Sequence, residues 1–147
     1  MKISTRGRYG TRVLLELALQ GSKGPVLLKE IAKRQEIPLL YLEHLIAPLK
    51  AGGLIRSTRG ARGGIWLAKS PRDIKLSDVI QLLEGSIAPV ECVDNPEYCH
   101  RSGYCATRDI WWELKEAVNG VLSSVTLEDL VERQRSKEPV LNHNYYI

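Results

Sequence analysis

Three cysteines, Cys92, Cys99 and Cys105, lie within fourteen residues of one another, and the 147-residue chain has no others. The segment from Val90 to Arg108 that holds them is rich in turn formers, among them Asn95, Pro96 and Gly103. An odd count cannot close a complete set of intrachain disulfides, and converging thiolates are soft ligands. Three chemistries suit such a set. One is an iron–sulfur cluster, another is zinc on three thiolates with one further ligand, and the third is a redox thiol switch. The spacing is wider than the paired spacing of zinc fingers. His100 is a ligand by type, but its place beside Cys99 makes joint ligation of one metal awkward, and a solvated loop residue is the simpler reading. Catalysis by Cys99 and His100 would need a base oriented by a third group, and no such constellation is legible.

A second chemistry lies earlier in the chain. Arg59 and Arg62 stand in Arg59-Gly60-Ala61-Arg62-Gly63-Gly64, where glycines let backbone approach a partner closely. A guanidinium suits a narrow, electronegative minor groove. Lys2, Arg6, Arg8 and Arg12 add positive charge suited to backbone phosphates. Between them, Leu40, Tyr41, Glu43, His44 and Lys50 project away from a stripe formed by Leu42, Leu45, Ile46 and Leu49. A carboxylate at Glu43 can accept from a cytosine amino group, and His44 can donate or accept at a base edge.

The elements that must position these groups follow from apolar periodicity. Tyr9, Val13, Leu14, Leu17 and Ala18 predict a helix from about Arg6 to Gln20, ended by Gly21, Gly24 and Pro25. Leu28, Ile31 and Ala32 predict a short second helix, and a third follows Pro38 and closes at Gly52-Gly53. Pro48 should bend that third helix or shorten its last turn. Leu54-Ile55 and Ile65-Trp66-Leu67 flank the basic hairpin as strands. Leu76, Val79, Ile80 and Leu83 mark a fourth helix ending near Gly85. After the cysteines, a long helix carries Ile110, Trp111, Leu114, Val118, Val121, Leu122 and Val125. Thr126 and Asp129 then resemble a cap opening a last short helix.

The fold class expected is mainly α with a small β-hairpin: a winged helix-turn-helix plus a long C-terminal dimerisation helix. Residues 1–85 form the DNA-binding unit and 86–106 the cysteine loop. Residues 107–135 form the dimerisation and closing helices, and 136–147 a flexible tail. Charge agrees with this division. Residues 1–70 hold 13 Lys/Arg against 4 Asp/Glu, whereas residues 71–147 hold 8 against 13. A basic half joined to an acidic one suggests a polyanion-binding module attached to something else. No apolar run approaches the length of a membrane span, and residues 1–6 lack the apolar core of a signal peptide. The expected location is the cytoplasm, where thiols stay reduced.

Lys2-Ile3-Ser4-Thr5-Arg6-Gly7-Arg8-Tyr9, Ile31-Ala32, Tyr41-Leu42-Glu43, Gly53-Leu54-Ile55, Arg59-Gly60 and Gly63-Gly64 together resemble the IscR-type family of winged-helix regulators. The likeness runs from Met1 to about Val131, through Thr126-Leu127-Glu128-Asp129-Leu130. It implies a homodimer on pseudo-palindromic double-stranded DNA, with the helix from about Thr107 to Ser124 as its interface. It implies control of iron–sulfur cluster biogenesis or related stress genes. It implies an iron–sulfur cluster on Cys92, Cys99 and Cys105, 2Fe–2S in preference to 4Fe–4S. It places Tyr41, Glu43 and His44 on the recognition helix, with Glu43 discriminating two classes of DNA site, and Arg59 in the minor groove. Lys2, Arg8, Leu40, Gly60 and Arg62 complete the expected DNA-contacting set. One departure matters. Where the member that gives the family its name has a histidine three residues after the third cysteine, this chain has Arg108, whose guanidinium cannot ligate iron. Arg8 stands where some relatives supply a carboxylate ligand, so the fourth ligand is unassigned. A cluster-free, zinc-responsive or thiol-redox-responsive regulator of the same fold is the alternative.

Overall fold

Alternation between helix-forming runs and glycine or proline breaks produces, among the described residues, seven α-helices and one two-stranded hairpin. The structure, a computed structural model, describes residues 2–144 and the side chains of residues 2–138. In chain order the elements are α1 (Thr5–Gln20), α2 (Leu28–Gln35), α3 (Leu39–Ala51), β1 (Ile55–Thr58), β2 (Gly64–Leu67), α4 (Leu76–Glu84), α5 (Glu91–Asp94), α6 (Ala106–Ser123) and α7 (Leu127–Asn144). The expected mainly helical winged helix-turn-helix is present.

Local chemistry sets the boundaries. Ser4 caps α1, its hydroxyl accepting from the Gly7 N–H at 3.2 Å. The turn between α2 and α3 needs only three residues because Glu36 adopts a left-handed conformation (φ +53°) and Ile37 is buried. Pro48 neither ends nor shortens α3, which continues to Ala51. The proline falls in the last turns, and the carbonyl it leaves unpaired belongs to the exposed His44.

One core joins most of these elements. Val13, Leu14 and Leu17 of α1 pack with Ile31, Leu42, Leu45, Leu49, Ile55, Ile65, Ile74, Val79 and Leu127. Leu127 is fully buried although it lies beyond the cysteine loop and α6. The chain is stitched there by an antiparallel bridge in which the Leu76 N–H donates to the Val125 carbonyl and the Leu127 N–H to the Ile74 carbonyl, both at 2.9 Å. Thr126 and Asp129 cap each other's backbone N–H groups at 2.9 and 3.2 Å, so α7 opens on the expected box. The last helix is longer than the short one expected from Leu127, Leu130 and Val131, and it takes in part of the tail expected over 136–147. α7 runs to Asn144, and Glu132, Arg133, Gln134, Arg135, Lys137 and Glu138 are good helix formers that carry it past its apolar stripe as far as Pro139. Residues 145–147 of that tail lie outside the described residues.

Candidate nucleic-acid interface and cysteine loop

α3 divides cleanly into two faces. Leu42, Leu45 and Leu49 are buried, while Leu40, Glu43, His44 and Ala47, spaced as one helical stripe, are exposed. Tyr41 is half-buried, its ring edge-on to Tyr9 of α1 with centroids 5.4 Å apart. The guanidinium groups of Arg8 and Arg12 lie 5.7 and 5.5 Å from the Tyr9 ring centre. Tyr41 therefore links α3 to the arginines of α1, and the exposed residues of its helix present the free chemistry.

Sequence reasoning missed the network behind this surface. Glu16 is the one buried charged side chain among the described residues, and it faces α2. Its carboxylate accepts from Arg34 at 3.1 Å, Gln35 at 2.8 Å and Gln20 at 3.1 Å. Arg12 donates to both the side chain and the carbonyl of Gln35. That commitment turns Arg12, a candidate phosphate contact by sequence, into a strut between α1 and α2. The only sequence signal was an acid set among Val13, Leu14 and Leu17 on an apolar face.

The wing is a tight antiparallel hairpin, with Ile55 opposite Leu67 and Thr58 opposite Gly64. Arg59, Gly60 and Arg62 lie exposed at its tip. Gly64 (φ +149°) is required there, since a Cβ would lie 2.4 Å from the Val26 carbonyl oxygen. Val26 pairs with Ile65 through two 2.9 Å hydrogen bonds and so anchors the base of the wing. Lys2, Arg6, Arg8, Lys50, Arg59 and Arg62 are all exposed.

The cysteine loop is a chain of short turns. Cys92 sits on α5, Cys99 follows a 3₁₀ turn (Pro96–Tyr98), and Cys105 is the N-cap residue of α6 after a second turn (Ser102–Tyr104). All three thiols are free and half-buried. Among the described residues no group of three or more His, Cys, Asp or Glu side chains is gathered to hold a metal ion. The donor chemistry suits a soft metal, but the arrangement does not fit one as it stands. Arg108 has a different task, donating to the Cys92 carbonyl at 2.8 Å and the Val93 carbonyl at 3.5 Å. Lys115 pairs with Asp94 at 2.6 Å, so two side chains of α6 strap α5 down. The Lys115 ammonium and then the Ser86 hydroxyl hold the Asp94 carboxyl below its ordinary range. The Cys105 thiol is also lowered, first by the Thr107 hydroxyl at 3.1 Å, then by the Arg108 backbone N–H, with a smaller effect of the Arg101 charge. Ser102 Oγ, in the same loop, is buried without a hydrogen-bond partner.

The family model described as an iron-dependent transcriptional regulator, Rrf2, matches residues 3–133, which is nearly all of the chain. The chain belongs to the Rrf2 family. The rrf2 protein of Nitratidesulfovibrio vulgaris (Hildenborough) is 48% identical over 131 residues, spanning 89% of this chain and 87% of that protein. The solved structure of CymR (YrzC), the global cysteine regulator of B. subtilis, is similar with a TM-score of 0.77. It is 42% identical, covering 90% of this chain and 98% of CymR. IscR of T. potens follows at a TM-score of 0.75 and 40% identity, covering 91% of this chain and 88% of that one. This Rrf2-family protein is thus a transcriptional regulator rather than an enzyme, and the resemblance to IscR-type regulators holds. No helix among its described residues is long and apolar enough to cross a membrane.

Proposed function

We propose that this Rrf2-family regulator is a homodimer that grips a pseudo-palindromic duplex operator with two winged helices, in the cytoplasm. The observation that carries this reading is α6, which spans eighteen residues and buries none of them against its own chain. Ile110, Trp111, Trp112, Leu114 and Val121 are all exposed on it. Apolar area of that kind is stabilised when a second copy covers it, at about 25 cal/mol per Å² removed from water. Two-fold symmetry through α6 would present two α3 helices to successive major grooves of one duplex face. Lys2, Arg8, Leu40, Tyr41, Glu43, His44, Arg59, Gly60 and Arg62 are the DNA-contacting set on this reading. Sedimentation equilibrium tests it: the wild-type chain should be dimeric, and Trp111→Glu with Val121→Glu monomeric and unable to shift duplex DNA. A monomeric wild type overturns the reading.

The input proposed for the loop is an iron–sulfur cluster on Cys92, Cys99 and Cys105, 2Fe–2S in preference to 4Fe–4S, with iron–sulfur biogenesis or related stress genes as output. Three thiolate donors on one loop and the similarity to T. potens IscR support it. Uptake requires the loop to gather the three thiols into one group, which they do not form here, with the fourth ligand coming from elsewhere than Arg108. Anaerobic purification with a visible spectrum and iron and sulfide assays tests it. Matching iron and sulfide supports the cluster, and zinc alone or no metal overturns it.

A second reading is a thiol-redox-responsive regulator without a cluster. The lowered thiol of Cys105 at the start of α6 favours it, as does the similarity to CymR, a cysteine regulator. Mass spectrometry after peroxide treatment should then show oxidation at Cys105 together with a change in DNA binding.

A further inference from the structure

Leu40 is 66% exposed, more so than any other leucine, isoleucine or valine described. It stands in the first turn of α3, the part of a recognition helix that meets base edges, and contributes nothing to the core. It also heads the exposed stripe of Leu40, Glu43, His44 and Ala47. From Leu40 to Ala47 that stripe holds no Arg, Lys, Asn or Gln, the side chains that read guanine or adenine by paired hydrogen bonds, and the first cation on it is Lys50 in the last turn. Its chemistry is two apolar groups, one carboxylate and one imidazole. Exposed cations stand on other elements, Arg6 and Arg8 on α1 and Arg59 and Arg62 on the wing, where guanidinium groups suit phosphates or the minor groove.

The one apolar feature on a major-groove edge is the 5-methyl group of a pyrimidine. Residues three apart on a helix are separated by about 4.5 Å along its axis, roughly the spacing of neighbouring base pairs, so Leu40 and Glu43 would face different pairs. We infer that Leu40 is a specificity-determining residue that reads a pyrimidine 5-methyl group, that of thymine, by apolar contact. The inference rests on the operator-binding reading and adds to it the class of base that α3 selects. Glu43 beside it, an acceptor, suits a cytosine amino group at the neighbouring pair.

The test begins by selecting a duplex from a random library with the wild-type protein. Each thymine of that duplex is then replaced by deoxyuridine, which removes only the methyl group. At one thymine in each half-site the wild type should lose about fourfold in affinity, the factor expected for one buried methyl group. Leu40→Ala should lose no more than about 1.5-fold there, because little apolar surface remains to cover the methyl. Leu40→Met, which keeps an apolar side chain, should retain the discrimination. At the same position, cytosine should weaken wild-type binding and 5-methylcytosine restore part of it, separating methyl contact from thymine's other groups. Circular dichroism of each variant checks that it is folded, as an exposed position should allow. Deoxyuridine tolerated at every thymine, or penalised equally in the wild type and Leu40→Ala, overturns the inference while leaving operator binding intact. Failure to enrich any duplex overturns operator binding itself and the inference with it.

Discussion

Replacing Gly7 with alanine sets two effects of known sign against each other. An alanine in a helix interior is more stable than glycine by about 0.5–1 kcal/mol, because glycine loses more backbone freedom on folding. At Gly7, however, a Cβ would lie 2.2 Å from Glu84 Oε1 and 3.0 Å from a methyl of Ile3. The Glu84 carboxylate comes from the end of α4 and accepts from both the Ser4 N–H, at 2.8 Å, and the Ser4 hydroxyl. It thus completes the cap of α1 from a distant element. The carboxylate can swing away, being the end of a flexible side chain, but only by giving up both bonds. Hydrogen bonds to a charged group contribute about 1.5–3 kcal/mol each when sheltered, and their exposure here lowers the pair to about 2 kcal/mol together. Gly7→Ala should therefore destabilise the wild type by about 1 kcal/mol. In a Glu84→Ala background the same substitution should stabilise by about 0.5–1 kcal/mol, since the Glu84 obstruction and its bonds are gone and the exposed Ile3 side chain is free to give way. Urea unfolding followed by circular dichroism, at one fixed protein concentration because association alters apparent stability, measures all four corners of the cycle. Equal destabilisation in both backgrounds would refute the reasoning and shift the obstruction to Ile3.

Three further outcomes follow from the same geometry. Arg59→Ala should weaken duplex binding by about 1–3 kcal/mol in a fluorescence anisotropy titration, and unchanged affinity would mean that the wing makes no specific contact. Alkylation of Cys105 should be half-maximal below pH 9.0, its ordinary value, and Thr107→Val should move that midpoint upward; an unmoved midpoint would show that the hydroxyl does not stabilise the thiolate. The Asp129 carboxyl is held below its ordinary 3.8, first by the Thr126 N–H and then by the Thr126 hydroxyl. Its contribution to folding is therefore complete above pH 3.8 and is lost as pH falls through the depressed folded value. Asp129→Asn should flatten that part of the acid-unfolding curve, and superimposable curves would remove the cap from the account.

Much of the local architecture of the candidate surface is legible in the residues themselves. The stripe of Leu42, Leu45 and Leu49 and the glycines around Arg59 and Arg62 carry their meaning locally, because helix period and turn chemistry depend on neighbours in sequence. The Thr126–Asp129 box was readable for the same reason. The course of α7 was not. Its apolar stripe fades after Val131, so periodicity stops there although helix formers continue to Glu138 and the helix itself to Asn144. Glu16, a charge on an apolar face, looked like an exception until Arg34 and Gln35 were placed opposite it.

By itself, the sequence determined the order of helices and hairpin, the basic half and the acidic half, and three thiols on one loop. Those features follow from residue type and short-range spacing, which act before the chain is compact. Only the tertiary structure decided that Leu127 enters the core formed with α1, α3 and the hairpin, and that Glu84 caps α1 from eighty residues away. It likewise decided that Arg12 and Arg108 are held by backbone carbonyls rather than free for ligands, and that among the described residues the three thiols are not gathered into one metal-holding group. Each of these depends on which distant groups meet when apolar surface is buried, and no local pattern of residues encodes that meeting.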